Sequence, residues 1–416
     1  MANACGVDFG TSNSTVGWYR PGTPTLLALE DGKPTLPSVV FFNADEETTY
    51  IGRAALTNYL AGNEGRLMRS LKSLLGTSLI DGQTDVMGRA LRFRDLLGQF
   101  HMELKRRAEL AADCSFDCAV IGRPVHFVDD DPAADDLAED TLAEIALACG
   151  FRHVDFQYEP IAAAFDYEST IAREELVLVA DIGGGTSDFS LIRLSPERAK
   201  KTERGDDILA SSGIHVGGTD FDKYLSLSAI MPLLGLGTLL TNGTDVPSGY
   251  YFNLATWHTI NLAYTQKIWT QLQGVLREAA ERDKLARLLE LIEQRAGHWL
   301  AIKVEEGKIA LSDAEGFAMP LERLASAPTV KLTRSGFDQA VGHLVDRIDR
   351  TVGALLRDAG VLSSGIDTVF VTGGSSGVPF LRTRLAGLLP AARLVEGDLF
   401  GSIGAGLALD AARKFG

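Results

Sequence analysis

Two short segments, each an aspartate followed by a glycine-rich turn, constrain this sequence more than any other feature. They are Asp8-Phe9-Gly10-Thr11-Ser12-Asn13-Ser14-Thr15 and Asp181-Ile182-Gly183-Gly184-Gly185-Thr186-Ser187-Asp188. A short run of apolar β-forming residues precedes each segment and an alternating run follows it, so each pattern predicts strand, tight turn and strand. Two copies about half a chain apart predict a duplicated fold that closes on one ligand.

The residue types in these turns predict a metal–nucleotide site. Glycine lets backbone N–H groups approach a phosphate closely, and threonine and serine add hydroxyl donors. An aspartate at the end of the preceding strand would repel a bare phosphate, so Asp8 and Asp181 indicate a divalent cation between carboxylate and phosphate. A single Asp-x-Gly-Thr turn also occurs in ordinary hairpins, so the prediction depends on the presence of both copies.

Composition limits the class of protein. A chain of 416 residues exceeds what one hydrophobic core usually supports, so two lobes are expected. A content of 45% hydrophobic and 23% charged residues is typical of a soluble globular protein, and no apolar stretch approaches membrane-spanning length. With no basic-then-hydrophobic N-terminal segment, we expect a cytoplasmic protein that does not contact a membrane.

Charge and the metal-binding residue types exclude two further classes. The formal net charge of −15 argues against a nucleic-acid partner, which needs clustered lysine and arginine, but a nucleotide can still bind locally. The four cysteines and seven histidines show no ligand-like spacing, so neither a structural zinc site nor a disulfide scaffold is expected.

Periodicity and turn signals predict the main elements of the chain. The predicted elements are a helix over 91–112, a strand over 116–122, a loop over 233–249, largely helical chain over 254–312, a helix over 337–359, a strand over 368–372 and a final helix over 401–413. The predicted helical chain over 254–312 contains one apolar stripe that is typical of core packing: Leu285, Leu288, Leu289 and Ile292.

Four further motifs accompany the two turns. They are Tyr158-Glu159-Pro160-Ile161-Ala162-Ala163-Ala164, Val216-Gly217-Gly218-Thr219-Asp220-Phe221-Asp222, Glu305-Glu306-Gly307-Lys308-Ile309-Ala310-Leu311-Ser312 and Val371-Thr372-Gly373-Gly374-Ser375. In this order and spacing the six motifs resemble the actin-like ATPase superfamily, specifically the nucleotide-binding domain of DnaK-type heat-shock chaperones. The resemblance covers essentially the whole chain, and the most similar subgroup is the YegD-like chaperones.

The resemblance implies an α/β protein with the actin-like ATPase fold. Each of two lobes would contain a duplicated, ribonuclease-H-like mixed sheet flanked by helices, with the nucleotide cleft between the lobes. Lobe I would comprise 1–172 with an inserted subdomain at about 37–111, and lobe II 173–416 with an inserted subdomain at about 217–338. The C-terminal helix at about 401–413 would pack back toward lobe I.

The resemblance also implies ATP or ADP with Mg²⁺ as cofactors, and assigns site residues by motif. Asp8 and Asp181 would hold Mg²⁺ through its waters, and Glu159 would order the metal waters and the attacking water. Thr186 would contact the γ-phosphate. The β- and γ-phosphates would be held by Thr11, Ser12, Gly183, Gly184 and Gly185. The adenosine pocket would be shaped by Gly217, Gly218, Gly373 and Gly374, with Glu305, Lys308 and Ser312 toward ribose and base and Asp398 beside the adenine end. Gly10, Asn13 and Ser375 would also belong to the nucleotide-binding site.

An alternative for Glu159 is purely structural. Proline follows it, and an acid before proline is a common way to begin a helix. We favour the functional assignment because the adjoining alanines supply the small surface that a closely packed site needs.

Three departures from the family pattern point to weakened activity. Leu56 stands where the family's phosphate-contacting lysine is expected, and loss of such a donor can cost about 10² to 10³ in rate. Arg53, Arg69 and Lys72 are nearby cations that could replace it. At the base, Ile309 and Gly377 replace two arginines, so we expect poor discrimination between ATP and GTP.

The sequence leaves several functions open. We favour a slow ATPase over a binding module that scarcely hydrolyses, because Asp8, Glu159 and Asp181 are more than binding alone needs. An actin-like kinase or filament protein shares the turns. Gly373-Gly374-Ser375-Ser376-Gly377 matches a serine-hydrolase elbow, but no histidine follows it, so that alternative fails. Because the sequence ends at Gly416, no segment is expected to bind peptide in the manner of the chaperones, and partners or an exchange factor are not identified.

Overall fold

The computed structural model describes residues 3–20, 23–86, 88–128, 131–201, 204–324, 328–398 and 401–416. Its strands are β1 Ala4–Phe9, β2 Asn13–Arg20, β3 Thr23–Leu26, β4 Thr35–Pro37, β5 Val39–Asn43, β6 Thr48–Ile51, β7 Gly65–Arg69, β8 Gln83–Val86, β9 Arg89–Arg92, β10 Cys118–Arg123, β11 His153–Tyr158, β12 Glu175–Ile182, β13 Ser187–Leu194, β14 Ile208–Ile214, β15 Gly316–Pro320, β16 Thr329–Thr333, β17 Thr368–Thr372 and β18 Arg393–Glu396.

The α-helices are α1 Arg53–Leu60, α2 Phe93–Ala112, α3 Pro132–Ala148, α4 Glu159–Glu168, α5 Gly218–Leu225, α6 Gly249–Ala255, α7 Gln266–Glu278, α8 Arg282–Glu293, α9 Gly297–Asp313, α10 Arg334–Asp358, α11 Pro379–Leu388 and α12 Ser402–Phe415. Short 3-10 helices include Leu71–Leu74, Trp257–Tyr264 and Gly374–Gly377, and Ser226–Ile230 forms a π-helical turn. None of the helices in the described ranges is long and apolar enough to cross a bilayer.

The chain folds into two compact units. Unit 1 comprises Met1–His215, Ile348–Gly377 and Arg382–Gly416, and unit 2 comprises Val216–Arg347 and Val378–Leu381. The expected lobe boundary between residues 172 and 173 stays a prediction.

Unit 1 contains two large sheets with one repeated topology. In the first sheet the strand order is β11-β10-β1-β2-β3, with β4 also paired to β2, and in the second it is β18-β17-β12-β13-β14. In each sheet a central strand pairs in parallel with one neighbour and antiparallel with the strand that follows it in sequence. The mixed α/β architecture confirms the predicted fold class.

In each sheet, the helix that follows the outer parallel strand packs on the other sheet. Helix α4 follows β11 of the first sheet and packs on β12, β13 and β17 of the second, whereas α12 follows β18 and packs on β1, β2 and β10 of the first. The helices also pack against each other, and a Cβ atom at Gly406 of α12 would lie 1.8 Å from the carbonyl oxygen of Ala162 in α4. Only glycine permits this approach, so the small residues predicted around Glu159 serve helix packing.

Burial on both faces explains the apolar character of the central strands. Every residue of β1 is buried. Cys5, Val7 and Phe9 join the core that includes Leu96 and Phe100 of α2. Ala4 lies on the other face with Leu407 and Ala411 of α12. A strand covered on both faces reads as a continuous apolar run rather than an alternating one.

Two smaller sheets of unit 1 precede β10, and helix α3 follows it. Strands β6-β5-β7 form a three-stranded antiparallel sheet and β8 pairs with β9. Helix α3 begins where the Asp131 side chain accepts a hydrogen bond from the N–H of Ala134 at 3.1 Å, with proline at the first helical position.

Unit 2 is mostly helical and contains one two-stranded sheet, β15 with β16, among the residues described. Helices α6 to α9 confirm the predicted helical chain over 254–312. Four buried residues of α8 confirm the predicted core stripe: Leu285, Leu288, Leu289 and Ile292.

Candidate functional site

The two glycine-rich turns face each other in unit 1. A Cβ atom at Gly184 would lie 2.3 Å from the hydroxyl oxygen of Ser12, and one at Gly185 would lie 3.5 Å from Cγ2 of Thr11. The sequence expectation that both turns serve one site therefore agrees with their placement. A side chain at position 184 would displace the Ser12 hydroxyl, so glycine there permits the close approach.

The second turn is held by its own backbone and by the segment after β17. The N–H of Gly183 donates to the carbonyl of Thr186 at 2.9 Å, and the Ser375 hydroxyl donates to the carbonyl of Gly183 at 2.8 Å. Gly373 adopts a left-handed φ of +82°, and a Cβ there would lie 2.4 Å from Oδ1 of Asp181. Glycine at 373 therefore satisfies both a conformational and a spatial requirement.

The first turn is held by Ser38, which lies between β4 and β5. Its hydroxyl donates to the carbonyl of Gly10 at 2.7 Å, and its backbone N–H donates to the carbonyl of Ser12 at 2.9 Å. The hydroxyls of Ser14 and Ser38 also form a 2.9 Å hydrogen bond. Asn13 begins β2, opposite Pro37 of β4.

Four buried carboxylates interact electrostatically beside the turns. Asp8 and Asp181 occupy equivalent strand ends, Glu159 is the first residue of α4, and Asp188 lies directly opposite Asp181 in the antiparallel pair. Their exposed fractions are 9%, 5%, 6% and 4%, respectively. Gly122 of β10 makes room for Glu159, because a Cβ there would lie 3.1 Å from the Glu159 Cγ.

Lys72 is the cation of this group. Its Nζ lies 2.5 Å from Oε1 of Glu159, and only 11% of its side chain is exposed. It lies in the 3-10 turn Leu71–Leu74, which follows Ser70 in a left-handed conformation with φ of 59°. Leu71 and Leu75 are buried on either side and anchor the turn in the core. The short helix thus fixes where the Lys72 ammonium can reach.

Burial and mutual repulsion raise the proton affinity of the aspartates. Burial raises the pKa of Asp8 to about 7, Glu159 contributes further, and Lys72 and Thr15 partly oppose the shift. Burial, then Glu159, raises the pKa of Asp188 to about 7, against lowering by Thr186 and Lys72. The pKa of Asp181 is raised well above its ordinary value by burial and by Glu159, Asp188 and Asp8.

The pKa of Lys72 is raised as well, but by attraction to the carboxylates. Burial alone would lower its pKa, but Glu159 and Asp8 outweigh that effect and raise the pKa of Lys72. The ammonium therefore stays protonated beside Asp8, Asp181 and Asp188, whose pKa values are raised. Such a group of like charges favours an added cation, which would neutralise the repulsion.

Leu56 stands where the family's lysine is expected, and Lys72 supplies a cation beside Glu159. Leu56 lies on α1, which packs against β5, β6 and β7. Arg53, the first residue of α1, pairs with Glu30 and donates to the carbonyl of Thr35 at 2.6 Å. Of the three nearby cations considered from sequence, Lys72 contacts Glu159.

Asp181 carries a buried oxygen suited to a bound cation or water. Its Oδ1 is buried and has no hydrogen-bond partner among the residues described. An unpaired buried oxygen costs about 1–3 kcal/mol, which a bound cation or water can offset. No three histidine, cysteine or acidic residues in the described part of the chain converge closely enough to bind a metal directly. A cation held through water fits these carboxylates.

Two further predicted site residues, Thr186 and Asp398, lie in unit 1. The Thr186 hydroxyl donates to Oδ2 of Asp188 at 2.9 Å. Asp398 follows β18, and its carbonyl accepts a 3.0 Å hydrogen bond from the Ser402 hydroxyl at the start of α12. Gly374 begins the 3-10 helix that also contains Ser375.

The other predicted adenosine contacts lie in unit 2. Gly217 precedes α5, and its N–H donates to Oδ2 of Asp220 at 3.1 Å. Lys308 of α9 donates to the carbonyl of Gly218 at 3.1 Å and forms an ion pair with Asp222 at 2.9 Å. Glu305 and Ser312 lie on the same helix, and Ile309 is 58% exposed. Their contacts with a nucleoside stay predictions.

Sequence reasoning did not commit to three residues that the geometry brings to the site. Asp188 closes the second motif, and its position opposite Asp181 follows from the hairpin register. Lys72 appeared only as one of three possible cations, and Ser38 gave no signal except its place after a proline. Long-range packing, rather than a motif, places Lys72 and Ser38.

Comparison with known proteins gives one consistent result. Residues 4–94, 80–230 and 279–407 match the family model described as Hsp70 protein. Chaperone protein HscA of Citrobacter koseri is 27% identical over 98% of this chain and 58% of its own length. Chaperone protein dnaK1 of Prochlorococcus marinus is 25% identical over 94% of this chain and 53% of its own length. Chaperone protein DnaK of Thermus thermophilus is 25% identical over 94% of this chain and 57% of its own length. The chain thus spans little more than half the length of these relatives.

Proposed function

Because the chain belongs to the Hsp70 family, we propose that it binds ATP and ADP with Mg²⁺ at the two facing turns of unit 1 and hydrolyses ATP slowly. The observation that carries this proposal is the group of four buried carboxylates and Lys72 beside the turns. A site that only bound nucleotide would gain little from so many carboxylates, because each repels the phosphates.

The residues divide into those that hold phosphate and those that arrange the reaction. Backbone N–H groups and hydroxyls of both turns bind phosphate oxygens, with Thr186 at the γ-phosphate. Asp8 and Asp181 would hold Mg²⁺ through its waters, and the metal would supply charge neutralisation at the phosphates. The unpaired Asp181 Oδ1 and the raised pKa values of both aspartates support that role.

Hydrolysis requires water in line with the terminal phosphate and a way to stabilise spreading negative charge. Glu159 orients the attacking water by accepting its hydrogen bond. Lys72 holds Glu159 in place at 2.5 Å and offers a positive charge close to the transferred group. Positioning and electrostatics of this kind account for most catalysis of phosphoryl transfer.

Lys72 also changes the balance between the two functions left open by the sequence. Leu56 favours a binding module with negligible hydrolysis, and the position of Lys72 beside Glu159 supports hydrolysis instead. The structural role of Glu159 at the start of a helix is compatible with the proposal, because the residue begins α4 and also contacts Lys72.

Isothermal titration calorimetry tests the proposal. We expect ATP to bind at micromolar concentration with Mg²⁺ and at least tenfold more weakly with EDTA. Radiolabelled ATP in a single-turnover assay then measures hydrolysis. An absence of binding at millimolar MgATP would overturn the proposal, and binding without hydrolysis would leave the binding module as the function.

Finer features stay proposals as well. Ile309 and Gly377 lead us to expect less than about a hundredfold preference for ATP over GTP, or under 3 kcal/mol. The YegD-like subgroup and a cytoplasmic location rest on the sequence resemblance. Client binding and an exchange factor concern whole chaperones, of which this chain spans little more than half.

A further inference from the structure

Two serines distant in sequence make the same contact with the two turns. The Ser38 hydroxyl donates to the carbonyl of Gly10 at 2.7 Å, and the Ser375 hydroxyl donates to the carbonyl of Gly183 at 2.8 Å. Gly10 and Gly183 each lie two residues after the aspartate of their turn. Ser38 is fully buried and Ser375 is 6% exposed. Neither serine belongs to the turn that it contacts.

We propose that Ser38 and Ser375 are paired positioning residues that hold the two turns in the conformation that binds phosphate. The inference rests on the proposed function for its consequence in nucleotide binding. The contacts themselves belong to the nucleotide-free structure.

The geometry of the peptide bond explains how a carbonyl contact can position a donor. In a trans peptide the C=O and the following N–H point in opposite directions. A fixed carbonyl at Gly10 therefore fixes the N–H of Thr11, and a fixed carbonyl at Gly183 fixes the N–H of Gly184. The hydroxyls thus control the two peptide planes at the centre of the facing turns.

Each turn has at least one further anchor, so loss of one hydroxyl should loosen it without unfolding it. In the first turn the backbone N–H of Ser38 still binds the carbonyl of Ser12 at 2.9 Å. In the second turn the N–H of Gly183 still binds the carbonyl of Thr186 at 2.9 Å. Alanine at either serine leaves these backbone bonds intact.

The contact also separates positioning from direct recognition at Ser375. A serine hydroxyl has one proton, and here that proton is donated to Gly183. While that bond is made, Ser375 cannot donate to a nucleotide, so we assign its effect to the turn, whereas the sequence resemblance implied direct contact with the nucleotide. The two roles predict different responses to ligands with and without phosphate.

Calorimetry of Ser38→Ala, Ser375→Ala and the double variant with MgATP and with adenosine tests the proposal. We expect each single variant to bind ATP about fivefold to tenfold more weakly, and the double variant to lose about the product of the two factors. Adenosine affinity should not change. Ser375→Thr, which retains a hydroxyl, should restore ATP affinity.

A matched control is available in the second sheet. Ser190 is fully buried and its hydroxyl bonds to that of Ser211 at 2.9 Å, away from both turns. Ser190→Ala should leave ATP affinity within twofold of the original protein. A loss of adenosine affinity in Ser375→Ala would overturn the positioning role, as would unchanged ATP affinity in both alanine variants.

Amide hydrogen exchange of the nucleotide-free protein keeps this result distinct from a failure of the proposed function. Segments 10–14 and 183–187 should exchange about fivefold faster in Ser38→Ala and Ser375→Ala, respectively, while other segments stay unchanged. If the original protein binds no ATP, the proposed function fails but faster exchange still supports the anchoring. Unchanged amide exchange in both variants overturns the inference, whatever the measured affinity for ATP.

Discussion

The two large sheets of unit 1 share a backbone plan but not a set of side chains. The strand order and the placement of the turn between two antiparallel strands are the same in both. Opposite the turn aspartate, however, the first sheet has Thr15 across from Asp8, whereas the second has Asp188 across from Asp181. The first half also supplies Lys72.

This difference shows which properties a duplicated backbone can provide. Repeated topology gives two equivalent turns, which would form a symmetric cradle for phosphate in the proposed function. The proposed hydrolysis would need asymmetry, because water attacks from one side and the leaving group departs from the other. A hydroxyl and a cation on one side and an added acid on the other supply it.

Removal of Lys72 should have the largest effect on this asymmetry. We expect Lys72→Met to lower the single-turnover rate of ATP hydrolysis by about 10² to 10³, since a preorganised cation is lost from the site. Lys105 pairs with Glu109 on α2 at the same 2.5 Å distance. Lys105→Met is therefore the matched control, and its rate should not change. Equal rates for the two variants would mean that Lys72 has no role in hydrolysis.

Neutralisation of one acid should change stability with pH. Because the pKa of Asp8 and of Asp188 is raised to about 7, the folded protein holds protons that the unfolded chain releases near pH 4. The free energy of unfolding should therefore fall as pH rises from about 4 to 7. Asp8→Asn and Asp188→Asn should flatten that slope and be more stable than the original protein at pH 8 by about 2–4 kcal/mol.

Chemical denaturation of nucleotide-free, metal-free protein at pH 4.5 and pH 8 measures this effect. Asp188→Asn should give the larger gain, because Asp188 faces another acid whereas Asp8 faces a hydroxyl. Asp136→Asn, at an exposed position on α3, is the control and should follow the original protein. A parallel pH dependence in all variants would contradict the repulsion between these carboxylates.

Replacement of glycine tests the approach of the two turns with a smaller effect. Gly184→Ala should force the Ser12 hydroxyl to move and cost about 1 kcal/mol, whereas Gly185→Ala meets ordinary van der Waals distances. In a Ser12→Ala background the cost of Gly184→Ala should shrink, as a double-mutant cycle of unfolding free energies would measure. An additive cycle would mean that the turns do not approach each other in solution.

The substitution Leu56→Lys should leave the hydrolysis rate essentially unchanged. Leu56→Lys places a lysine where the family's phosphate-contacting lysine is expected. Because Lys72 already lies beside Glu159, the single-turnover rate of folded Leu56→Lys protein should stay within about twofold of the rate of the original protein. A tenfold increase would show that Lys72 does not perform that role.

Much of the fold could be read from local patterns. The strand predicted over 368–372 coincides with β17, and the final helix predicted over 401–413 corresponds to α12 at Ser402–Phe415. The strand predicted over 116–122 begins later, at Cys118, because Phe116 is buried without joining the ladder. Apolar periodicity reports burial, and burial need not include strand pairing.

The sequence by itself determined the two aspartate-glycine turns, the α/β class and the carboxylates Asp8, Glu159 and Asp181, because motif chemistry and periodicity are local properties of a chain. Only the tertiary structure decided that Lys72 rather than a residue of α1 meets Glu159, and that Ser38 and Ser375 hold the turns. A long side chain in a 3-10 turn reaches its partner only after β-pairing and core packing have fixed the turn's position. No pattern along the chain contains that distance.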